Sequence, residues 1–252
     1  MFTQDANMRT DNHWLASFYD LQNRPVMTAM MTYSGTREQL QDYVSQNTGN
    51  SNTGTITYSS PVIADLFVNE RQQGTPEYKA GASITFNDGF ESEGGAEFET
   101  NIAGPEGGSS SGNISVSDNP VPTGSTITPL TLTYYDDYSW TGNTYSVTNN
   151  AKLEAGNNLY PEALPDAANQ QKVNTRGLTT GSKVRVIENP DDLTAGKFLA
   201  TVNFFDDNGR TIQTQGENYK GGTDVVTSMY DFSGKVLSTY LSHNNPADKK
   251  LA

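Results

Sequence analysis

Apolar and polar residues alternate in short runs along most of this chain, the period of strands with one buried face. Residues 13–33 give the first case: Trp14, Phe18, Val26 and Met30 anchor two runs on either side of Leu21-Gln22-Asn23-Arg24. That pattern predicts two strands around a polar turn. A short helix is predicted next, because Thr36 and Gln39 have capping-box spacing and Leu40, Tyr43 and Val44 follow on one face. Residues 47–54 read as a loop. From Thr55 to about Ile102 the strand pattern resumes, with its apolar weight at Ile84, Phe86, Phe90, Phe98 and Ile102 and with Gly81, Gly89, Gly94 and Gly95 marking turns. Residues 104–125 are rich in Gly, Ser and Pro and are expected to be flexible. Strand signals return at residues 130–135. Residues 157–175 look irregular, since Pro161 and Pro165 oppose any helix. Dense alternation then runs from Lys183 to Leu241. The expectation is an all-β chain with one short helix, in three stretches. Residues 1–54 hold a hairpin and the helix, 55–128 an inserted β module with a Gly/Ser/Pro-rich linker, and 129–252 a β-rich region.

An internal repeat stands out above this pattern. Tyr19-Asp20-Leu21-Gln22-Asn23-Arg24-Pro25-Val26 is its first copy, Phe205-Asp206-Asp207-Asn208-Gly209-Arg210-Thr211-Ile212 its second, and Tyr230-Asp231-Phe232-Ser233-Gly234-Lys235-Val236-Leu237 its third. Each has an aromatic residue, Asp, two variable positions, Gly or Asn, a basic residue, one more residue and an aliphatic. The Asp opens a type I turn whose backbone N–H groups its carboxylate can accept. The Gly or Asn supplies the left-handed conformation that closes a bulged hairpin. The basic residue can reach back to the Asp of its own or a neighbouring turn. Tyr19, Asp20, Asn23, Arg24, Phe205, Asp206, Gly209, Arg210, Tyr230, Asp231, Gly234 and Lys235 are therefore the expected architectural residues.

These residues resemble the YD repeats of bacterial RHS-type proteins. The likeness runs on from Phe204 to Gln215, through Asn218 and Asp224-Val225-Val226-Thr227, to the third copy. Residues 14–43 and 174–184 look like further patches of the same kind of protein. The resemblance implies an antiparallel hairpin sheet forming part of a hollow shell, with the remainder of the parent repeat protein and a C-terminal effector, often a toxin, as partners. It also implies a secreted or cell-surface setting, with the export signal outside this segment. Asn23 stands where the pattern has Gly, and Lys235 where it has Arg. The repeats are too few to close a shell, and the chain has no Asp-Pro dipeptide of the kind the family's self-cleavage region carries. The stretch Ala80-Gly81-Ala82-Ser83-Ile84-Thr85-Phe86-Asn87-Asp88-Gly89-Phe90 looks like a short β module of bacterial surface and secreted proteins, and it reads as a decoration inserted into the array.

Composition narrows the chemistry. The net charge is −13, from 16 Lys and Arg against 29 Asp and Glu, which argues against a nucleic-acid backbone as partner. No apolar run is long enough for a membrane helix, so no membrane insertion is expected. Two His and no Cys remove thiolate chemistry and Cys-ligated zinc. The acidic pairs Asp136-Asp137, Asp191-Asp192 and Asp206-Asp207 lack the ligand spacing of a calcium loop and read as turn carboxylates. Glu91, Glu93, Glu97 and Glu99 read as a solvated strand face opposite Phe90, Phe98 and Ile102. Neither His13 nor His243 lies by a nucleophile elbow. No catalytic residue, cofactor or metal is expected. An alternative to the shell segment is an adhesin or glycan-binding module, in which Tyr135, Tyr138 and Trp140 would stack on a surface sugar.

Overall fold

The structure is a computed structural model and describes residues 1–47, 54–61, 65–68, 77–88, 90–92, 97–102, 109–117, 121–122, 124–194, 196–219 and 221–244. The protein is all-β, built on one nine-stranded antiparallel sheet. Its strands are β1 (Phe2–Thr3), β2 (His13–Tyr19), β3 (Pro25–Thr32), β10 (Thr126–Tyr135), β11 (Thr179–Arg185), β12 (Phe198–Phe205), β13 (Thr211–Glu217), β14 (Thr223–Tyr230) and β15 (Val236–Ser242). The spatial order is β1-β2-β3-β10-β11-β12-β13-β14-β15. Everything between β3 and β10 is therefore an excursion: β10 returns to lie on β3, with Thr126 opposite Thr32. Residue contacts divide the chain into two compact units, both discontinuous in sequence. One is residues 1–61, 109–133 and 183–198, and the other is residues 62–108, 134–182 and 199–252.

In the first unit the hairpin β2–β3 follows the alternation of its sequence, with Trp14, Ala16 and Phe18 buried on β2 and Met27, Ala29 and Met31 buried on β3. Helix α1 (Ala6–Thr10) precedes it, capped by the Asp5 carboxylate accepting from Met8 N. Helix α2 (Arg37–Gln46) follows β3 with both hydrogen bonds of a capping box between Thr36 and Gln39, and it buries Leu40. The excursion leaves along β4 (Gly54–Pro61) and returns along β9 (Ser109–Val116), an antiparallel stem with Pro61 opposite Ser109. The stem buries Tyr58, Ile114 and Val116, and the Tyr58 ring meets Phe198 edge-on at 5.4 Å. Glycine is required at 112, because a Cβ there would lie 2.4 Å from the Tyr58 ring. Residues 109–116 were part of the stretch expected to be flexible. They form a strand because β4 gives every one of their Cα positions a partner, which composition cannot reveal.

In the second unit Tyr145, Val202, Phe204 and Ile212 form a buried cluster, and Tyr138, Trp140, Leu164 and Tyr230 pack against it. A third helix, α3 (Ala167–Gln170), is only a single turn and sits in the otherwise irregular stretch after Pro165. The chain thus has three short helices where its pattern predicts one, and α1 and α3 are too short to show helical periodicity. The inserted module belongs to this unit. Its strands β5 (Asp65–Val68) and β7 (Ser83–Phe86) pair in parallel, as do β6 (Glu77–Ala80) and β8 (Glu99–Ile102). The rings of Tyr78, Phe86, Phe90 and Phe98 cluster, Tyr78 meeting Phe98 edge-on at 5.4 Å. Ile102 is not part of this packing: it is 56% exposed, on a strand with no buried residue. The turns expected at Gly89, Gly94 and Gly95, the side chain of Glu93, most of the loop after α2 and residues 104–108 lie outside the described residues.

Candidate functional site

The three repeat copies build one and the same turn. At the first, Asn23 N donates to the Asp20 carbonyl (3.0 Å) and Asp20 N to the Arg24 carbonyl (3.0 Å), closing a type I turn followed by a left-handed residue. The Asp20 carboxylate accepts from Gln22 N (2.9 Å), Arg24 N (2.8 Å) and Arg24 Nε (2.7 Å). At the second, Asp206 accepts from Asn208 N (3.0 Å), Arg210 N (2.9 Å) and Arg210 Nε (2.6 Å). At the third, Asp231 accepts from Ser233 N (2.9 Å), Ser233 Oγ (2.6 Å) and Lys235 N (3.0 Å). The left-handed residue is Asn23 (φ 61°), Gly209 (φ 73°) and Gly234 (φ 86°) in turn. Each hairpin shifts register beside its aromatic residue, at Phe18/Tyr19, Phe204/Phe205 and Met229/Tyr230. Asn at 23 is tolerated because its short polar side chain is among the few that visit this region.

Arg210 does more than close its own turn. Its Nη1 donates to the Asp231 carbonyl of the third turn (3.0 Å), its guanidinium lies over the Tyr230 ring at 5.0 Å, and its Nη2 pairs with Glu162. Glu162 is carried there by a segment laid along the third turn. Glu162 N donates to the Tyr230 carbonyl (2.9 Å), Pro161 bridges to Asp231, and Asn158 Nδ2 donates to the Asp231 carboxylate (3.3 Å). Donors from Ser233, Lys235 and Asn158 hold the Asp231 carboxyl below the usual carboxylate range, the Ser233 hydroxyl contributing most. Lys235 is bound through its backbone, and its side chain is exposed. Beside Arg210 lies an open cleft of about 890 Å³, lined by Glu162, Asp166, Lys172, Asp206 and Tyr230 among others.

Sequence reasoning missed three parts of this arrangement. Glu162 has no motif of its own. A fourth turn of the same design closes the other end of β13–β14: Gly221 N donates to the Asn218 carbonyl (3.1 Å), Gly222 N to Asn218 Oδ1 (3.0 Å), and Gly221 has φ 86°. The spacing from Asn218 to Gly221 matches that from Asp231 to Gly234, but Glu217 replaces the aromatic residue that marks the other copies. Third, Gln213 and Gln215 are buried on β13 and grip the segment 143–146. Gln213 Nε2 donates to the Ser146 carbonyl (2.8 Å) while its Oε1 accepts from Ser146 N (3.0 Å), and Gln215 Nε2 donates to the Thr144 carbonyl (2.8 Å).

The rings considered as a sugar platform are engaged in packing. Trp140 stacks on Tyr134 at 4.2 Å and donates its indole N–H to Thr180 Oγ1 (3.1 Å). Tyr138 stacks on Phe204 at 5.1 Å and donates to the Asn203 carbonyl (2.7 Å). Burial, partly offset by Gln170, pushes the Tyr138 hydroxyl up to about 12, so it stays a neutral donor. Tyr135 is half-buried at the end of β10. The exposed ring pair lies elsewhere, at Tyr160 (64%) and Phe232 (68%), whose centroids are 5.7 Å apart.

The acidic pairs serve local turns. Asp137 Oδ1 accepts from Ser139 N and Oγ (2.8 and 2.6 Å), Asp192 Oδ1 from Thr194 N and Oγ1 (2.9 and 2.6 Å), and Asp136 Oδ1 from Gly177 N (2.6 Å). Glu91, Glu97 and Glu99 are exposed. His243 Nδ1 lies 2.6 Å from Asp224 Oδ1 on the surface, and His13 is half-buried at the start of β2. Among the described residues no three carboxylates or imidazoles converge to hold a metal ion. No family model matches the chain, and neither a curated protein nor a solved structure matches it.

Proposed function

We propose that this chain is a non-catalytic wall segment of an RHS/YD-repeat protein, secreted or displayed at a bacterial surface, whose sheet encloses or presents a C-terminal effector. The observation that carries the reading is the repeated turn. Three copies with the same carboxylate–amide bonding, the same left-handed residue and the same bulge close hairpins of a single sheet. Their charged groups are spent on one another: Asp206 and Glu162 on Arg210, Asp20 on Arg24. Groups so paired are suited to fixing a sheet and poorly suited to attacking a substrate. Electron microscopy of the secreted protein that carries this sequence tests the reading. A hollow particle with these hairpins in its wall is expected, and a solid particle with no enclosed volume would overturn it.

Glycan binding is the second reading, and the exposed Tyr160–Phe232 pair favours it over the rings first considered. A saccharide array probed with the full chain, and with Phe232→Ala as control, separates the two. The wall reading expects no retained sugar.

A further inference from the structure

Strand β15 is an undefended sheet edge. It is the last strand in the spatial order, and among the described residues only β14 pairs with it. Its sequence, Val236-Leu237-Ser238-Thr239-Tyr240-Leu241-Ser242, holds no charge and no proline, the usual devices that keep edges apart. Val236, Tyr240 and Leu241 are exposed on it, Leu241 by 58%. The opposite edge, β1, is only two residues long and offers little to pair with.

The geometry points to β15 as a self-association edge: β15 of a second copy of this chain adds to it antiparallel, about a two-fold axis at Thr239. Three observations choose a second copy as the occupant and set this register. Pairing about Thr239 places Leu237 opposite the partner's Leu241 and repeats that contact on the other side of the axis, flanking a Thr–Thr pair. The sheet already uses such a pair at Thr28 and Thr131, whose hydroxyls lie 2.6 Å apart. The same register brings Lys235, exposed at the turn, opposite the partner's His243, whose ring is held 2.6 Å from Asp224. Each end of the joint thus sets a cation against a carboxylate. A register centred on Ser238 would instead set Lys235 against Leu241. Two copies that each carry −13 repel over most of their surface, and least along this neutral strand. An isologous joint closes on itself, so the assembly stops at a dimer. The inference stands on the edge itself and does not depend on the wall reading.

Sedimentation of the full chain across the micromolar range tests it, together with two variants. The expected result is a concentration-dependent dimer that Leu241→Lys weakens by at least about tenfold, since an exposed charge there opposes burial of the edge. The chain has no cysteine, so single-cysteine variants report cleanly. Thr239→Cys is expected to form a disulfide dimer under mild oxidation much faster than Asn113→Cys, an exposed position on β9 used as background. A monomer at every concentration, a dimer that Leu241→Lys leaves intact, open-ended oligomers, or equal cross-linking at 239 and 113 would each overturn the proposal.

Discussion

Arg210 shows how one side chain can serve two repeats. It donates to Asp206 in its own turn and to the Asp231 carbonyl in the next, while pairing with Glu162 and covering Tyr230. Arg24 sits at the same place in the first repeat, and its printed ion pair is with Asp20 alone, 24% and 15% exposed. Truncation should follow that difference. Arg210→Ala is expected to cost about 2–3 kcal/mol, because it leaves two carboxylates and a carbonyl without their charged donor. Arg24→Ala is expected to cost about 1 kcal/mol, nearer the range of exposed pairs. Chemical denaturation of the two variants checks the ratio. Arg210→Lys should fail to restore stability, since an ammonium cannot serve three acceptors in a planar fork.

Asp231 gives a pH dependence whose sign follows from its hydrogen bonds. Its folded carboxyl ionises below its ordinary range, because Ser233, Lys235 and Asn158 donate to the charged form. It therefore contributes stability that is fully present above the unfolded carboxylate pKa and is lost as pH falls through the depressed folded value. Asp231→Asn is expected to flatten this acid limb while lowering stability at neutral pH. Thermal midpoints measured from neutral pH down through the carboxylate range test it, and an acid limb unchanged in the variant would count against the assignment. These turn roles were legible in the sequence, because a turn is a local object: Asp, the left-handed residue and the basic residue lie within a few positions of each other. Glu162 was not legible, since it meets Arg210 only after the chain has returned from far away.

At the scale of elements, capping and gripping behave differently. Helix α2 carries its own start signal in Thr36 and Gln39, and Thr36→Ala is expected to cost about 1 kcal/mol, read by thermal denaturation. The segment 143–146 carries no signal, because it is neither helix nor strand. It is held by Gln213 and Gln215, which present side-chain amides to its backbone much as a neighbouring strand would. Gln213→Leu leaves Ser146 N and its carbonyl without these partners and is expected to cost about 2–3 kcal/mol. Hydrogen exchange separates this from a general loss of stability. Amides of 143–146 should lose protection in the variant ahead of those of β12. Alternation alone would place Gln213 in solvent, where polar residues belong. Its burial follows from a strap of chain that the strand pattern does not contain.

For the whole molecule, the excursion between β3 and β10 is the topological fact with kinetic consequences. Thr32 must find Thr126 across the stem and the module, and such non-local pairing slows folding. The module leaves from Pro61 and returns at Ser109, which are Cα partners in the stem. Replacing residues 62–108 by a tight Asn-Gly turn should therefore keep the β2–β3–β10 pairing and raise the refolding rate by roughly three- to tenfold. Stopped-flow fluorescence of the two chains measures it, and a variant that fails to refold would show that the module is needed for the pairing.

Local spacing alone determined the all-β class, the β2–β3 hairpin, the start of α2 and the three repeated turns. In each of these the deciding interactions join residues a few positions apart, so their chemistry is written in order along the chain. The tertiary structure alone decided that residues 109–116 form a strand, that Trp140 and Tyr138 face packing partners, and that Arg210 links two turns through Glu162. Gly181 makes the point at a single atom: a Cβ there would lie 2.4 Å from the Trp140 ring and 2.2 Å from the Thr201 carbonyl. Both neighbours arrive from distant parts of the chain, and only folding brings them close enough to demand a glycine.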